Sequence, residues 1–372
     1  MFYCLLKKFS YERIVLFYSI IKVMVLDMDN KRVGVIGHFG YGKNLVNGQT
    51  IKAKIITDEL KKILGEEKVE TLDSSIGIKG IISLFFRVGA MMYRCKNIII
   101  LPAHNGLVYF SIVLWFWNRF FNVRLHYIVI GGWLADFLKT RKWLSDILKK
   151  FSFIYAETTI MAQTLRNNGF VNVIYLPNCK SLKIKKVSKT PVIPYKVCTF
   201  SRVTKVKGIE DVINVVKKIN QKHSTNIYKL DIYGPIDEVF ISEFNGLLND
   251  SSGVIKYKGV TDYENTSEIL SRYDYLIFPS RYTGEGIPGT IIDAYASGLP
   301  VIFAKWQHWK DIMIDGKTGI GYEFCSVDGL LDVMEKVSEE NLNYSYMQDC
   351  CIKMANNYQA SKVVGRLVKN LL

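Results

Sequence analysis

Two short stretches of this chain carry charged side chains where they could stabilise an anion. The first is Phe278–Pro300, FPSRYTGEGIPGTIIDAYASGLP. An apolar run ends at Pro279, a polar loop follows, and a helix is expected to begin near Pro288. Proline suits the first helical position, because its missing N–H would be unpaired there anyway. Gly289 and Thr290 then offer free backbone N–H groups at a helix N-terminus, where the helix dipole favours phosphate. Glu285 stands in the loop, and Asp293 lies about one turn into the helix. The second stretch is Ser201-Arg202-Val203-Thr204-Lys205-Val206-Lys207-Gly208, leaving one strand and entering a helix. Arg202 and Lys207 can both point into one cleft. Two cations and a helix N-terminus neutralise a diphosphate with no metal and no cofactor. A third feature is His104 in Pro102-Ala103-His104-Asn105-Gly106, a histidine at the end of an apolar run that could touch substrate.

The elements that must position these residues alternate along the chain. Short β-branched runs at 32–37, 68–74, 97–103, 125–131, 153–157 and 172–177 read as strands in the first half. In the second half the strands fall at 196–201, 228–234, 254–259, 273–279 and 300–304. Helical segments lie between them, such as Thr50–Leu64 and Lys142–Phe151, so the fold class is α/β with parallel sheets. The stretch KSLKIKKVSKTPVIPYK, from Lys180 to Lys196, holds six lysines and two prolines in 17 residues. It suits neither strand nor amphipathic helix and reads as a linker. The expected organisation is therefore an N-terminal extension over 1–27, a first domain over 28–180, the linker 181–196, and a second domain over 197–345. A helical segment over 346–372 follows. Two open α/β domains joined this way leave a cleft between the carboxyl ends of their strands, where ligands bind.

Composition narrows the choice. The chain has 372 residues, 49% of them apolar and 22% charged, which supports two packed cores and excludes a disordered chain. Its seven cysteines are scattered with no CxxC, which argues against a disulfide framework or zinc cluster and suits a reducing cytoplasm. The formal net charge of +15 is uneven. Residues 1–180 hold 25 Lys and Arg against 12 Asp and Glu, whereas 181–372 hold 24 against 22. The first half should therefore face an anionic partner. No stretch is long and apolar enough to span a membrane. The start, MFYCLLKKFSYERIVLFYSIIKV, makes a poor signal peptide and reads as sequence upstream of a start at Met28.

At these residues the chain resembles the retaining GT-B glycosyltransferases of family four, the glycosyl transferases group 1. That family carries G-R-x-x-x-x-K-G and E-x7-E followed by small-G-x-P-V. Here the motifs stand as S-R-V-T-K-V-K-G and Glu285-x7-Asp293, with Ser297-Gly298-Leu299-Pro300-Val301 following. The segments GHFGYGKNLVNGQT, LPAHNG, YIVIGGWL and YLPN look like a polysaccharide-biosynthesis branch of the family. The resemblance implies two Rossmann-like domains facing a cleft, with the C-terminal helix crossing back onto the first. It also implies that Arg202, Lys207 and Glu285 are catalytic. The first two would hold the donor diphosphate, and Glu285 would meet the sugar hydroxyls. Asp293 would bind the ribose, and the N–H groups of Gly286, Ile287, Gly289 and Thr290 would hold phosphate or sugar. Gly48 would let the diphosphate approach the backbone in the loop after the first strand, with Gln49 beside it.

Asp293 shortens the second glutamate by one methylene, and Pro288 replaces a usual glycine, deleting one N–H donor. The family's first-domain histidine has no counterpart in Ile130-Gly131-Gly132-Trp133, so His104 on a neighbouring strand is the candidate to serve instead. The implied reaction moves a sugar from a nucleotide diphosphate, most simply UDP, to a growing bacterial surface glycan: capsule, O-antigen or exopolysaccharide. The acceptor would be a lipid-diphosphate-linked glycan at the inner face of the membrane, and the enzyme cytoplasmic or peripheral. Trp115, Trp117, Phe120 and Phe121 on the basic first half could dock on anionic lipid, unless Leu107–Phe121 is a buried core helix.

Three other chemistries compete. A GT-B sugar-nucleotide epimerase would use the same donor site. Gly37-His38-Phe39-Gly40-Tyr41-Gly42-Lys43 fits the G-x4-G-K of a P-loop hydrolase, but Asn44 follows where Ser or Thr would bind magnesium. No GxGxxG follows a strand, which disfavours a dehydrogenase. No recognition helix, aromatic RNA-binding strand pair or finger accompanies the charge, which disfavours nucleic acid.

Overall fold

In a computed structural model, the structure describes residues 32–41, 48–75, 80–184, 189–249, 253–340 and 342–372. The expected extension over 1–27 and the Lys43-Asn44 end of the P-loop match lie outside the described residues. So does part of the linker.

The described strands form two six-stranded parallel sheets. The first contains β1 (Val33–Gly37), β2 (Val69–Asp73), β3 (Asn97–Ile100), β4 (Arg124–Ile128), β5 (Phe153–Ala156) and β6 (Val173–Tyr175). The second contains β7 (Tyr195–Phe200), β8 (Tyr228–Tyr233), β9 (Ile255–Gly259), β10 (Tyr275–Phe278), β11 (Val301–Ala304) and β12 (Gly319–Tyr322). β1, β3, β10 and β11 are buried at every position, as expected of parallel strands covered by helices on both faces. Successive side chains split between the faces. Val33 and Val35 join one core with Ile99, while Ile36 joins another with Ile98 and Ile100. The second sheet divides likewise, Cys198 and Leu276 on one face and Val197 and Ile277 on the other.

The strand orders decide where a ligand can enter. The first sheet runs β2-β1-β3-β4-β5-β6 and the second β9-β8-β7-β10-β11-β12. The chain reverses direction between β1 and β3, and again between β7 and β10. Loops leaving adjacent strands at such a switch point diverge to opposite faces and open a crevice at their carboxyl ends.

Four sequence expectations change. The edge strand β12, Gly-Ile-Gly-Tyr, was not anticipated, because two glycines in four residues weaken a strand signal. Gly319 is required there: its φ is +156°, and a Cβ would fall 1.9 Å from the Val301 carbonyl oxygen. The C-terminal segment is not one returning piece. Helix Tyr344–Ala355 stays on the second domain against helix Gly289–Ala296. Only helix Ala360–Val368 crosses back, burying Ala360, Val363, Val364, Leu367 and Val368 in the first-domain core against helix Gly48–Leu64. Asn97 Nδ2 and Arg124 Nη2 then donate to the carbonyls of Leu371 and Asn370 at 3.1 and 2.7 Å.

Gly48 opens helix Gly48–Leu64 rather than lying in a preceding loop. Finally, helix His104–Phe121 is largely a core helix, with Leu107, Phe110, Val113, Leu114 and Trp117 buried. Trp117 fits over Gly89, where a Cβ would lie 2.5 Å from its ring, and its indole donates to the Phe85 carbonyl at 3.0 Å. Trp117 is therefore not free to meet lipid. Among the described residues no helix is long and apolar enough to cross a membrane.

Candidate functional site

A cleft of about 600 Å³ lies between the carboxyl ends of the two sheets, at both switch points. Every residue singled out from the sequence as a site candidate lines it: Gly48, Gln49 and His104 from the first domain, and Arg202, Lys207, Glu285, Gly286, Ile287, Gly289, Thr290 and Asp293 from the second.

The second-domain wall is built from two loops locked together. After β7 the chain makes a tight turn over Lys205–Lys207 and enters helix Ile209–Lys222 through Gly208, whose φ is +66°. A Cβ on Gly208 would sit 2.2 Å from the Pro279 carbonyl oxygen, so only glycine lets the two loops approach this closely. Arg281 holds the same junction. Its backbone N–H donates to the Val206 carbonyl at 2.9 Å, and its guanidinium grips Asp211 through Nε and Nη2. This clamp brings Lys207 against Glu285, an ion pair sharing Oε1 with the Ser280 hydroxyl at 2.6 Å. Arg202 is exposed toward solvent beside them, and among the described residues its guanidinium has no ion-pair partner.

Helix Gly289–Ala296 starts beside Pro288, as expected, but the proline is not its first helical residue. Pro288 is its extended N-cap, with φ −67° and ψ 127°, because a residue that precedes the first helical turn must leave the helical region. Gly289 and Thr290 are then the first two helical residues, and their N–H groups have no intrahelical acceptor. Asp293 is 4% exposed and pairs with Lys180 at 2.7 Å. Burial pushes its carboxyl above the ordinary aspartate value, while the Lys180 ammonium pulls against it.

The amides after Glu285 do not all fulfil their expectation. The Ile287 N–H is already taken: it donates to Glu157 Oε1 of the first domain at 2.7 Å. A buried N–H cannot stay unpaired, and here the opposite domain supplies the acceptor. Gly286 remains beside it, and a Cβ there would collide with Glu157 and with Gly131.

The first-domain wall has a different construction. His104 begins helix His104–Phe121, with its ring stacked on Trp133 at 3.9 Å and edge-on to Phe137. Burial and then the nearby Arg141 lower its pKa from the ordinary histidine value. Gln49 Nε2 donates to the Leu101 carbonyl at 3.2 Å. His38 bonds Thr50 at 3.0 Å and is not among the residues lining the cleft.

Several residues that shape the cleft escaped the sequence reading. Glu157 follows β5 directly and pairs with Lys52, both side chains 3% exposed. Lys180, Asn178 and Ser280 join it. Asn178 closes the quoted YLPN segment and Lys180 lies two residues beyond it, and Glu157 stands at the carboxyl end of a buried strand. Position relative to the strands was thus the available signal. His308, 2% exposed, packs where a Cβ on Gly132 would fall, which explains that glycine. The charges resolve into a simple pattern. Three acids line the cleft, each matched by a lysine: Glu157 with Lys52, Glu285 with Lys207 and Asp293 with Lys180. Arg202 is the cation left over.

Residues 181–356 match the family profile described as glycosyl transferases group 1. The chain is 22% identical over 357 residues to a protein of the cps region of Klebsiella pneumoniae, covering 88% of this chain and 93% of that one. It is 24% identical over 191 residues to a glycosyltransferase of Methanocaldococcus jannaschii, covering 51% of this chain and 43% of that one. Among solved structures, HepE of Anabaena in complex with UDP and glucose superimposes with a TM-score of 0.71 at 14% identity, over 92% of this chain and 99% of that one. Sucrose-phosphate synthase of Thermosynechococcus elongatus gives 0.72 at 14% identity, over 91% and 98%. At such identities the likeness is one of fold, and that fold is GT-B.

Proposed function

From the match of residues 181–356 to the glycosyl transferases group 1, we propose that this chain is a retaining, metal-independent hexosyltransferase of that family. Its donor is a UDP-sugar and its acceptor a lipid-diphosphate-linked glycan of a bacterial surface polysaccharide. The observation that carries this reading is the unmatched Arg202 beside the Lys207–Glu285 pair, on the same cleft as the Gly289 and Thr290 amides. That arrangement has a surplus of positive charge where a leaving diphosphate would lie. UDP bound in HepE, also with UDP-glucose, supports the choice of nucleotide.

Cleavage of the anomeric bond separates charge, positive on the sugar carbon and negative on the departing phosphate. Arg202, Lys207 and the helix N-terminus act where the negative charge grows, so they favour the transition state over the bound substrate. Lys207 also fixes Glu285, whose second oxygen is then free to accept from a sugar hydroxyl. Asp293 takes the ribose through the oxygen that Lys180 leaves open. A carboxylate does line the first-domain wall, Glu157, but it accepts from Lys52, the Gly131 N–H and the Ile287 N–H. Those bonds engage the lone pairs a covalent nucleophile needs. The reading therefore keeps a front-face route, in which the leaving phosphate takes the acceptor proton and configuration is retained.

Similarity to the cps-region protein supports a surface-glycan context. Peripheral docking would use the first domain. Ile82 and Phe86 on helix Ile81–Arg94 and Ile112 and Phe120 on helix His104–Phe121 are exposed, with Arg87 and Arg119 beside them. Trp115 lies under Arg119 at 4.0 Å instead of facing lipid alone.

The test is calorimetric titration of wild type and Arg202→Ala with UDP, GDP and ADP in chelator. Binding of one nucleotide without metal, weakened in the variant, is expected, followed by NMR assignment of the product anomer. No binding of any nucleotide would overturn the donor reading, and an inverted product would overturn the retaining one.

A further inference from the structure

The backbone of Ile287 is held on both sides by the opposite domain. Its N–H donates to Glu157 Oε1 at 2.7 Å, and its carbonyl accepts from Asn178 Nδ2 at 2.9 Å. Three residues earlier, the Gly132 N–H donates to the Gly284 carbonyl at 3.0 Å. The Glu285 side chain is held within its own domain by Lys207 and Ser280, but bonds from the loop's backbone to that domain are longer: Glu285 N–H to Tyr282 at 3.4 Å, and the Trp306 indole to the Gly286 carbonyl at 3.2 Å. The backbone of the loop that carries Glu285 is therefore shaped more by the first domain than by its own.

Glu157 is stiff enough for that task. It follows the buried strand β5, and its other oxygen accepts from Lys52 Nζ and from the Gly131 N–H. Lys52 is itself anchored on the Val129 carbonyl at 2.9 Å. Burying such an ion pair gains little stability over an apolar pair of the same shape, so its geometry needs another reason. The close approach also dictates Gly286, where a Cβ would lie 2.3 Å from Glu157 Oε1 and 2.8 Å from Gly131 Cα.

We infer that Glu157 is a positioning residue that sets the 284–289 loop through the Ile287 amide, so that Glu285 and the Gly289 and Thr290 amides face the cleft together only when the two domains are closed. This rests on reading that loop as the donor loop. Opening the domains breaks all three cross-domain bonds and releases the loop, which ties sugar activation to closure and to exclusion of water. Asn178 grips the same peptide from its other side, and Lys52 holds the Glu157 carboxylate in place.

Hydrogen exchange of the full chain tests this directly, read on the Ile287 amide in wild type, Glu157→Ala, Glu157→Gln and Asn178→Ala. Exchange is expected to quicken about tenfold in the two alanine variants, as a local opening. Glu157→Gln keeps an acceptor for the amide and should stay near wild type. UDP affinity should fall about tenfold in Glu157→Ala, because a loosened loop must be ordered on binding, and recover in Glu157→Gln. Wild-type exchange at Ile287 in Glu157→Ala overturns the inference. So does a rise spread evenly over the first sheet, which is what a purely structural role predicts. Should Glu157→Ala not fold, Asn178→Ala breaks the same clamp without stranding Lys52, and unchanged Ile287 exchange there is equally fatal. If wild type binds no nucleotide, the donor reading fails on its own, while the exchange comparison still decides what Glu157 does.

Discussion

The two walls of the cleft are made in opposite ways. The second-domain wall is a pair of loops close in sequence to the strands that launch them, locked by Gly208, Pro279 and the Arg281–Asp211 grip. Its charged groups lie at short, regular spacings within each loop. The first-domain wall draws single residues from distant places: Lys52 from a helix, Glu157 from a strand end, His104 from another helix, and Trp133 from a fourth segment. The second wall gathers its charged groups within two local loops, whereas the first is framed by side chains brought together from separate segments. Substrate chemistry should therefore be sensitive to single charges on one side and to fit on the other.

The largest expected effect breaks the charged loops alone. Arg202→Ala should lower kcat by about 10²–10³-fold, the usual loss for one transition-state donor. Its folding stability should change by no more than about 0.5 kcal/mol, since the side chain is exposed and, among the described residues, has no ion-pair partner. Steady-state kinetics beside a thermal melt checks both halves. A glycine pair sharpens the comparison next. Gly208→Ala should cost about 1–3 kcal/mol, because φ is +66° and a carbonyl stands in the way. Gly48→Ala should be neutral or gain about 0.5–1 kcal/mol, since no described residue lies within 4 Å of the new methyl in a helix. Denaturant unfolding of the two variants measures the difference.

Asp293→Asn should weaken nucleotide binding about tenfold, or about 1.4 kcal/mol, read by calorimetry. It should also alter the pH profile of stability. Burial holds the Asp293 carboxyl above its ordinary value of 3.8, despite Lys180, so the folded state binds the proton more tightly than the unfolded one. This group's contribution is thus most favourable below 3.8 and declines as pH rises through that window toward the folded value. The variant should flatten that decline. The smallest effect is expected at His104, whose pKa burial and Arg141 set below 6.5. Its ring should stay neutral as pH falls past 6.5, and the stability linked to it should be lost only from 6.5 downward, toward the folded value. NMR titration of the ring in wild type, with His104→Ala as the assignment control, reads this.

How much of this was legible beforehand follows the same division. Arg202, Lys207, Glu285, Gly289, Thr290 and Asp293 were found because each sits a few residues from a strand end or helix start. Strand cores such as Ile98–Ile100 and Ile277–Phe278 announced themselves as continuous apolar runs. β12 was missed because its glycines serve close backbone contact rather than packing. The break between the last two helices was missed because both are amphipathic, and nothing in either face says which sheet it covers. Glu157 was missed because one glutamate after one strand looks like any other until Ile287, 130 residues away, comes to rest on it.

The sequence by itself determined the parallel α/β construction, the charged loops of the second domain and the family resemblance those loops carry, since these depend on periodicity and on spacings of a few residues. Tertiary structure alone decided which lysines would meet the three acids of the cleft. Lys52 found Glu157 across 105 residues, Lys180 found Asp293 across 113, and Lys207 found Glu285 across 78. Pairing at such separations is set by strand order and by the approach of two domains, because only burial between them makes one partner worth more than the solvent.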